Sequence, residues 1–265
     1  MEALDERGER LHNAMGDVSD RLDDVELLQA LVAVMSRVNN EGAPDLEAPL
    51  VSAAAADNMV ASAELVNAVL RANPWLTGAA AADVVQHWIT YSGHVNERRT
   101  PSVLRPERFR PVSSLTDADL VRRPLPGGLY TSSAVPGQTS MWKLFISVHL
   151  SLDEDANIWR RPWVTWWLRP RSSARVMQVL SAADWVQLIS DVPVRRPDGL
   201  LAANWRSLSA RFDAVHLHLG AVTAIDGFRF ECGESATAPT YFGVESTLWL
   251  NWMFDAWGKV DCTTS

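Results

Sequence analysis

The spacing of apolar positions changes along this chain, and the change divides it. In SDRLDDVELLQALVAVMSRV, Val25, Leu28, Val32 and Met35 recur at i, i+3, i+7 and i+10, one face of a helix. NNEGAPDLEAP (39–49) interrupts that pattern with Gly, Pro and Asn. LVSAAAADNMVASAELVNAVLRAN resumes it and ends before Pro74. In AAAADVVQHWITYSG, Val84/Trp88 and Val85/Ile89 form i, i+4 pairs, which predict a further helix stopped by Gly93. Residues 1–95 are therefore expected to form a helical N-terminal unit.

The stretch from 98 to 128 is rich in proline and has little period of any kind. It predicts a long irregular segment wrapping the next domain. After it the period becomes two. In MWKLFISVHLS, Trp142, Leu144, Ile146, Val148 and Leu150 alternate with Lys143, Phe145, Ser147, His149 and Ser151, which predicts a half-buried strand over 142–150. Further strands are expected in WVTWWLRP (163–170), ARVMQVL (174–180), DAVHLHLGAV (around 214–219), GFRFEC and VESTLWLNWMF (246–254). Ser181 and Asp184 read as the opening cap of a helix, AADWVQLIS. Strands outnumber helices here and do not alternate with them regularly. The expected class is α+β: a helical N-terminal unit packed on a mixed, mostly antiparallel sheet domain over 96–265.

Composition supports a packed core, with 47 % hydrophobic and 21 % charged residues. Ten of the twelve tryptophans lie beyond position 140, so the second half should hold an aromatic core or cleft. A net charge of −8 disfavours general nucleic-acid binding, which needs clustered cations. Two local arginine-rich runs, 98–111 and 160–175, have the planar donors suited to phosphate or carboxylate. The acidic, polar N-terminus does not read as a signal peptide, and no apolar run is long enough for a membrane span. The chain is expected to be soluble and cytoplasmic, without a membrane partner. Cys232 and Cys262 are too few for a disulfide framework, and no Cys/His metal spacing occurs.

Two candidate chemistries remain. VHLHLG sets His216 and His218 two apart, on one face of the expected strand, where two imidazoles can hold a metal for a hydrolase. The other candidate is GGLYTSSAVPGQTSMW. Gly127 and Gly128 permit close backbone approach, Tyr130 offers a flat face, and Thr131, Ser132, Ser133 and Ser140 offer hydroxyls. An aromatic beside small hydroxyl residues suits a planar ring bearing an amide, nicotinamide among others.

This second stretch resembles the second signature of ADP-ribosyltransferases, a glycine-led G-x-G-(I/L)-Y-(F/T) followed by small hydroxyl residues. Trp142 resembles the aromatic that follows the tyrosine in the poly(ADP-ribose) polymerase branch, and TSS (131–133) resembles the S-T-S of the Arg-Ser-Glu branch. The family's third signature, a glutamate at a late strand, is matched by Glu245 in YFGVESTLWLNW. At the start of a strand this carboxylate is expected to be exposed, facing the cleft. The first signature, a His or Arg on an early strand, has His94, Arg105, Arg108 and Arg110 as candidates. The resemblance covers residues 94–255. It implies NAD as substrate, with Tyr130 stacked on the nicotinamide and Ser132 on the ribose or ring amide. Glu245 would stabilise the cation as the glycosidic bond breaks. Gly128, Ser133, Ser140, His94 and Arg105 would complete the NAD site, and an arginine from 98–123 would face the pyrophosphate. Arginine-modifying members carry Glu or Gln two positions before the catalytic glutamate; this chain has Gly243, so arginine is not implied as acceptor. The alternative, from a different class, is a non-catalytic interaction or scaffold protein whose helical N-terminus docks a protein partner.

Overall fold

A computed structural model describes residues 32, 45–62, 64–72, 84–91, 109–121, 125, 128–135, 139–152, 163–239 and 242–260. Strand β1 is Leu50–Val51, followed by helices α1, Ala53–Ser62, and α2, Glu64–Ala72. Strand β2 is Gln86–Tyr91, and a single turn of helix, α3, covers Asp117–Leu120. Strands β3, Leu129–Val135, and β4, Thr139–Ser140, lead into helix α4, Met141–Leu152. Strands β5, Trp163–Pro170, and β6, Val176–Val179, precede helix α5, Ala182–Asp191. Next come β7, Pro193–Arg195, β8, Leu201–Ala203, α6, Trp205–Ser209, β9, Ala214–Leu217, and α7, Leu219–Ile225. The described chain closes with β10, Arg229–Cys232, β11, Ser235–Thr237, β12, Ser246–Trp249, and β13, Phe254–Lys259.

The class is α+β with mixed sheets, as the sequence pattern predicts. The large sheet runs β13-β5-β2-β3-β12-β9-β6, with β4 paired to β3; the smaller runs β1-β10-β11-β8-β7. The large sheet is antiparallel throughout except for the β6/β9 pair. The small sheet has two parallel pairs, β1/β10 and β8/β11. The described strands from the first 95 residues, β1 and β2, both pair with strands from beyond residue 96.

Three expectations are corrected. Residues 141–152 form a helix, not the strand predicted for 142–150. The same stretch also carries helical spacing, because Met141, Leu144 and Phe145 stand at i, i+3 and i+4. Here Met141, Leu144, Phe145 and Ile146 are all buried, and the N–H of Lys143 donates to Ser140 Oγ (3.3 Å), capping the helix start. Conversely, Gln86–Tyr91 is a strand, not the end of a helix. It lies between β3 and β5, with Gln86, His87 and Ile89 all buried. A central strand covered on both faces loses its alternation and is easily mistaken for a helix. The expected 246–254 strand is two strands, β12 and β13, separated at 250–253.

The centre of the large sheet is buried on both faces. Leu248 and its partner Tyr130 belong to one cluster, which takes in α1, α4, α5 and α7 through residues such as Ala56, Ile146, Leu188 and Val222. The next pair, Trp249 and Leu129, belongs to a second cluster with Trp166, Leu168 and Phe254. Most of the aromatic content of the second half is thus core. Helices α1 and α5, which flank the first cluster, are tied directly. Asp57 of α1 accepts from the backbone N–H groups of Ala182 (2.6 Å) and Ala183 (3.1 Å) at the start of α5, beside the Ser181 cap.

Candidate functional site

The site lies where β2, β3 and β12 meet at one end. β12 pairs antiparallel with β3, and the residue just before it is Glu245. β3 pairs on its other side with β2, placing His87 opposite Ser132 and Gln86 opposite Ser133. The strand pairing therefore converges one carboxylate, two serines, a glutamine and a histidine from segments far apart in sequence.

Glu245 is wholly buried, yet both carboxylate oxygens are served. Ser132 Oγ donates to Oε2 at 2.8 Å and Ser133 Oγ donates to Oε1 at 2.7 Å. The Ser133 backbone N–H reaches both oxygens, at 3.2 and 3.1 Å. Burial pushes the carboxyl above its ordinary range, and the serine donors pull it back, with the His218 charge a lesser pull in the same direction. His87 is pushed down to about 4 by burial, and the Lys143 ammonium adds to the shift. Its Nδ1 is buried without a partner among the described residues. His216, opposite Thr247 on β9, is held down to about 4 by burial. Its Nδ1 lies 2.9 Å from Thr247 Oγ1 and 3.6 Å from Glu245 Oε1. At neutral pH the His87 and His216 imidazoles are uncharged, so neither supplies Glu245 with a counter-charge.

The residues singled out from the sequence fall as follows. Tyr130, Ser132 and Ser133 sit on β3, and both serines bond to Glu245. Tyr130 precedes Ser132 by two positions, on the same side of the strand and roughly 7 Å along it. Its hydroxyl accepts from the Leu125 N–H at 3.1 Å, and its ring tilts against Phe242 with centroids 6.1 Å apart. Gly128 is filled around by protein: a Cβ there would meet Leu125 O at 3.0 Å, a Tyr130 ring carbon at 3.1 Å and Leu248 Cδ1 at 3.2 Å. Its lack of a side chain therefore seats Tyr130. Ser140 caps α4. Trp142 contributes its backbone N–H to Ser132 Oγ (3.3 Å), while its ring stacks on Phe145. His94 and Arg105, with Arg108, lie outside the described residues; Arg110 is exposed.

Two sequence expectations are corrected at this site. Glu245 is not an exposed carboxylate at a strand start. His216 and His218 do not share a strand face, because β9 ends at Leu217 and His218 is the cap of α7, its Nδ1 accepting from the Gly220 N–H at 3.3 Å. Among the described residues no group of three or more His, Cys, Asp or Glu could hold a metal ion. Also among them, no helix is long and apolar enough to cross a membrane. The residues that the sequence pattern does not single out are Gln86 and His87. Their signal is the aromatic and β-branched content of QHWITY, which favours a strand.

What the arrangement offers chemically is a preorganised carboxyl group, pushed up by burial and pulled back by the donors that hold it. A carboxylate held by two hydroxyls and a backbone N–H on a strand scaffold can stabilise positive charge developing next to it, without having to reorganise during the reaction. Comparisons with protein-family models, curated proteins and solved structures each give no match for this chain.

Proposed function

We propose that this chain is an ADP-ribosyltransferase-like enzyme that cleaves NAD and transfers ADP-ribose to an acceptor. The observation that carries the reading is the contact of Ser132 and Ser133 with Glu245 across β3 and β12. The hydroxyl and glutamate signatures of the resemblance lie 112 or more residues apart in sequence, and they meet through three hydrogen-bonding groups. In this reading the early-strand signature falls to His87, opposite Ser132 on β2, in place of His94 or Arg105.

The chemistry is a glycosyl transfer. The bond from ribose C1′ to the nicotinamide nitrogen breaks, and its electron pair leaves with nicotinamide. The ribose carries the positive charge until a nucleophilic atom of the acceptor adds at C1′ and gives up its proton. Glu245 lowers the energy of that cation, Ser132 and Ser133 hold the carboxylate in place, and Tyr130 supplies a face for the departing ring. Gly243 leaves the position two before Glu245 without a side chain, which does not favour arginine as the acceptor.

A second reading has its own observation. Glu245 is completely buried and bonded to Ser132 and Ser133 of the same chain, which suits a polar tie within a non-catalytic interaction domain. Incubation with nicotinamide-labelled NAD, alone and with cell lysate, separates the two. Release of nicotinamide by the wild-type protein and its loss in Glu245→Gln supports the transferase. No release under any condition supports the interaction protein.

A further inference from the structure

The side chains behind Ser133 form a chain whose hydrogen bonds all point one way. An indole N–H can only donate, and an ionised carboxylate can only accept. Trp249 Nε1 donates to Thr131 Oγ1 at 2.8 Å. Thr131 Oγ1 donates to Gln86 Oε1 at 2.7 Å. Gln86 Nε2 donates to Ser133 Oγ at 3.3 Å, and Ser133 Oγ donates to Glu245 Oε1 at 2.7 Å. The amide orientation of Gln86 is set independently, because its nitrogen also faces the Val84 carbonyl, an acceptor, at 3.4 Å. A shorter chain serves the other oxygen: the Trp142 N–H donates to Ser132 Oγ, which donates to Oε2. Each chain begins at a group that can only donate and ends on one oxygen of Glu245. Thr131, Gln86, Ser133 and Trp249 are all buried, so water does not compete for these protons.

We propose that Trp249, Thr131 and Gln86 are positioning residues that keep Glu245 ionised by committing the Ser133 proton to it. The inference rests on the proposed catalytic role of Glu245 for its purpose, but not for its measurement. Each donor in the chain polarises the next, so the last bond to the carboxylate is stronger than an isolated hydroxyl would make. Protonating Glu245 would replace a charged acceptor with a weaker neutral one while the same donors still point at it. That resists the upward push of burial on the carboxyl. Among the described residues, the ionisable groups around the site are His216 on β9, His218 at the start of α7, His87 on β2, Lys143 on α4 and Tyr130 on β3.

The test is an infrared titration of the Glu245 carboxyl, identified by subtracting Glu245→Gln, in the full chain without NAD. Thr131→Val and Trp249→Phe each cut the chain two or more links from the carboxylate. Each should raise the protonation midpoint by about one pH unit, while Thr131→Ser, which keeps the hydroxyl, should restore it. A midpoint unchanged in a folded Thr131→Val or Trp249→Phe overturns the proposal. In the unaltered protein the hydroxyl protons of Thr131 and Ser133 should exchange slowly enough for detection by NMR. Fast exchange of both overturns it without any variant. A shifted midpoint in a protein that never cleaves NAD leaves the relay standing and removes the transferase reading. NAD cleavage with an unshifted midpoint does the reverse.

Discussion

Ser133 donates to Glu245 through both its backbone and its side chain, so one residue of β3 fixes a carboxylate that follows it by 112 positions. Only proline would remove the backbone donor. The hydroxyl can be removed alone, which separates the placing of Glu245 from the tuning of its charge.

Glu245→Gln should lower nicotinamide release by about 10²- to 10³-fold, the scale for losing one preorganised electrostatic group. NAD affinity should fall much less, because the ground-state ribose carries little positive charge. Stability should also fall, by about 1–3 kcal/mol, since the new amide nitrogen meets a serine proton in a buried place. Paired measurements of nicotinamide release, NAD binding and melting check all three. Equal release by both proteins would remove Glu245 from the chemistry.

The buried histidines make the fold sensitive to mild acid. His87 and His216 are held down to about 4 in the folded chain, against 6.5 for the free side chain. Between those values the unfolded chain binds more protons, so stability falls as pH drops from 6.5 towards 4, by up to about 3 kcal/mol per histidine. Glu245 works in the opposite sense: burial raises it, so its contribution is lost as pH rises above 4.5. Urea unfolding across this range should show a shallower acid loss in His216→Gln than in wild type. Identical slopes would mean that His216 is not neutral in the folded state.

Legibility from sequence varies by element. β5 and α5 are readable because a proline ends one and a serine cap opens the other. β12 is legible as the strand after Glu245. α4 passes for a strand because its alternating apolar residues fit one, although Ser140 ahead of Lys143 carries the cap signal. β2 passes for a helix because its neighbours cover both faces. The site is affected too: with β2 read as a helix, Gln86 and His87 are not seen to stand opposite Ser133 and Ser132. Pairing between distant strands is a tertiary fact, and no local period encodes it.

Gly243 sits against α4. A Cβ there would come within 2.9 Å of Phe145 Cε2. Gly243→Ala should destabilise the protein by about 1–3 kcal/mol through overpacking. Phe145→Leu in the same chain should recover part of that loss, because it removes the colliding ring edge. Thermal melts of the two single variants and the double variant test the coupling; simple additivity would place the strain elsewhere.

Asp57→Ala removes the acceptor for two N–H groups at the start of α5. The expected cost is about 1 kcal/mol, typical of a lost helix cap. Nicotinamide release should stay at the wild-type level, because the Asp57 carboxylate is committed to the joint between α1 and α5 and not to the β3–β12 junction. A large loss of release without a loss of stability would show that this joint communicates with the site.

The order of strands in the large sheet bears on how the protein matures. β2 and β3 leave the ribosome early and can pair with each other, but β12, which carries Glu245 at its edge, emerges only after more than a hundred further residues. Until then Ser132 and Ser133 have no carboxylate to hold, and the flank of β3 that β12 will cover stands open. Closing such long-range pairs is slow and leaves strand edges exposed meanwhile. The carboxylate and its two serines, though made far apart in time, are therefore assembled in one late step.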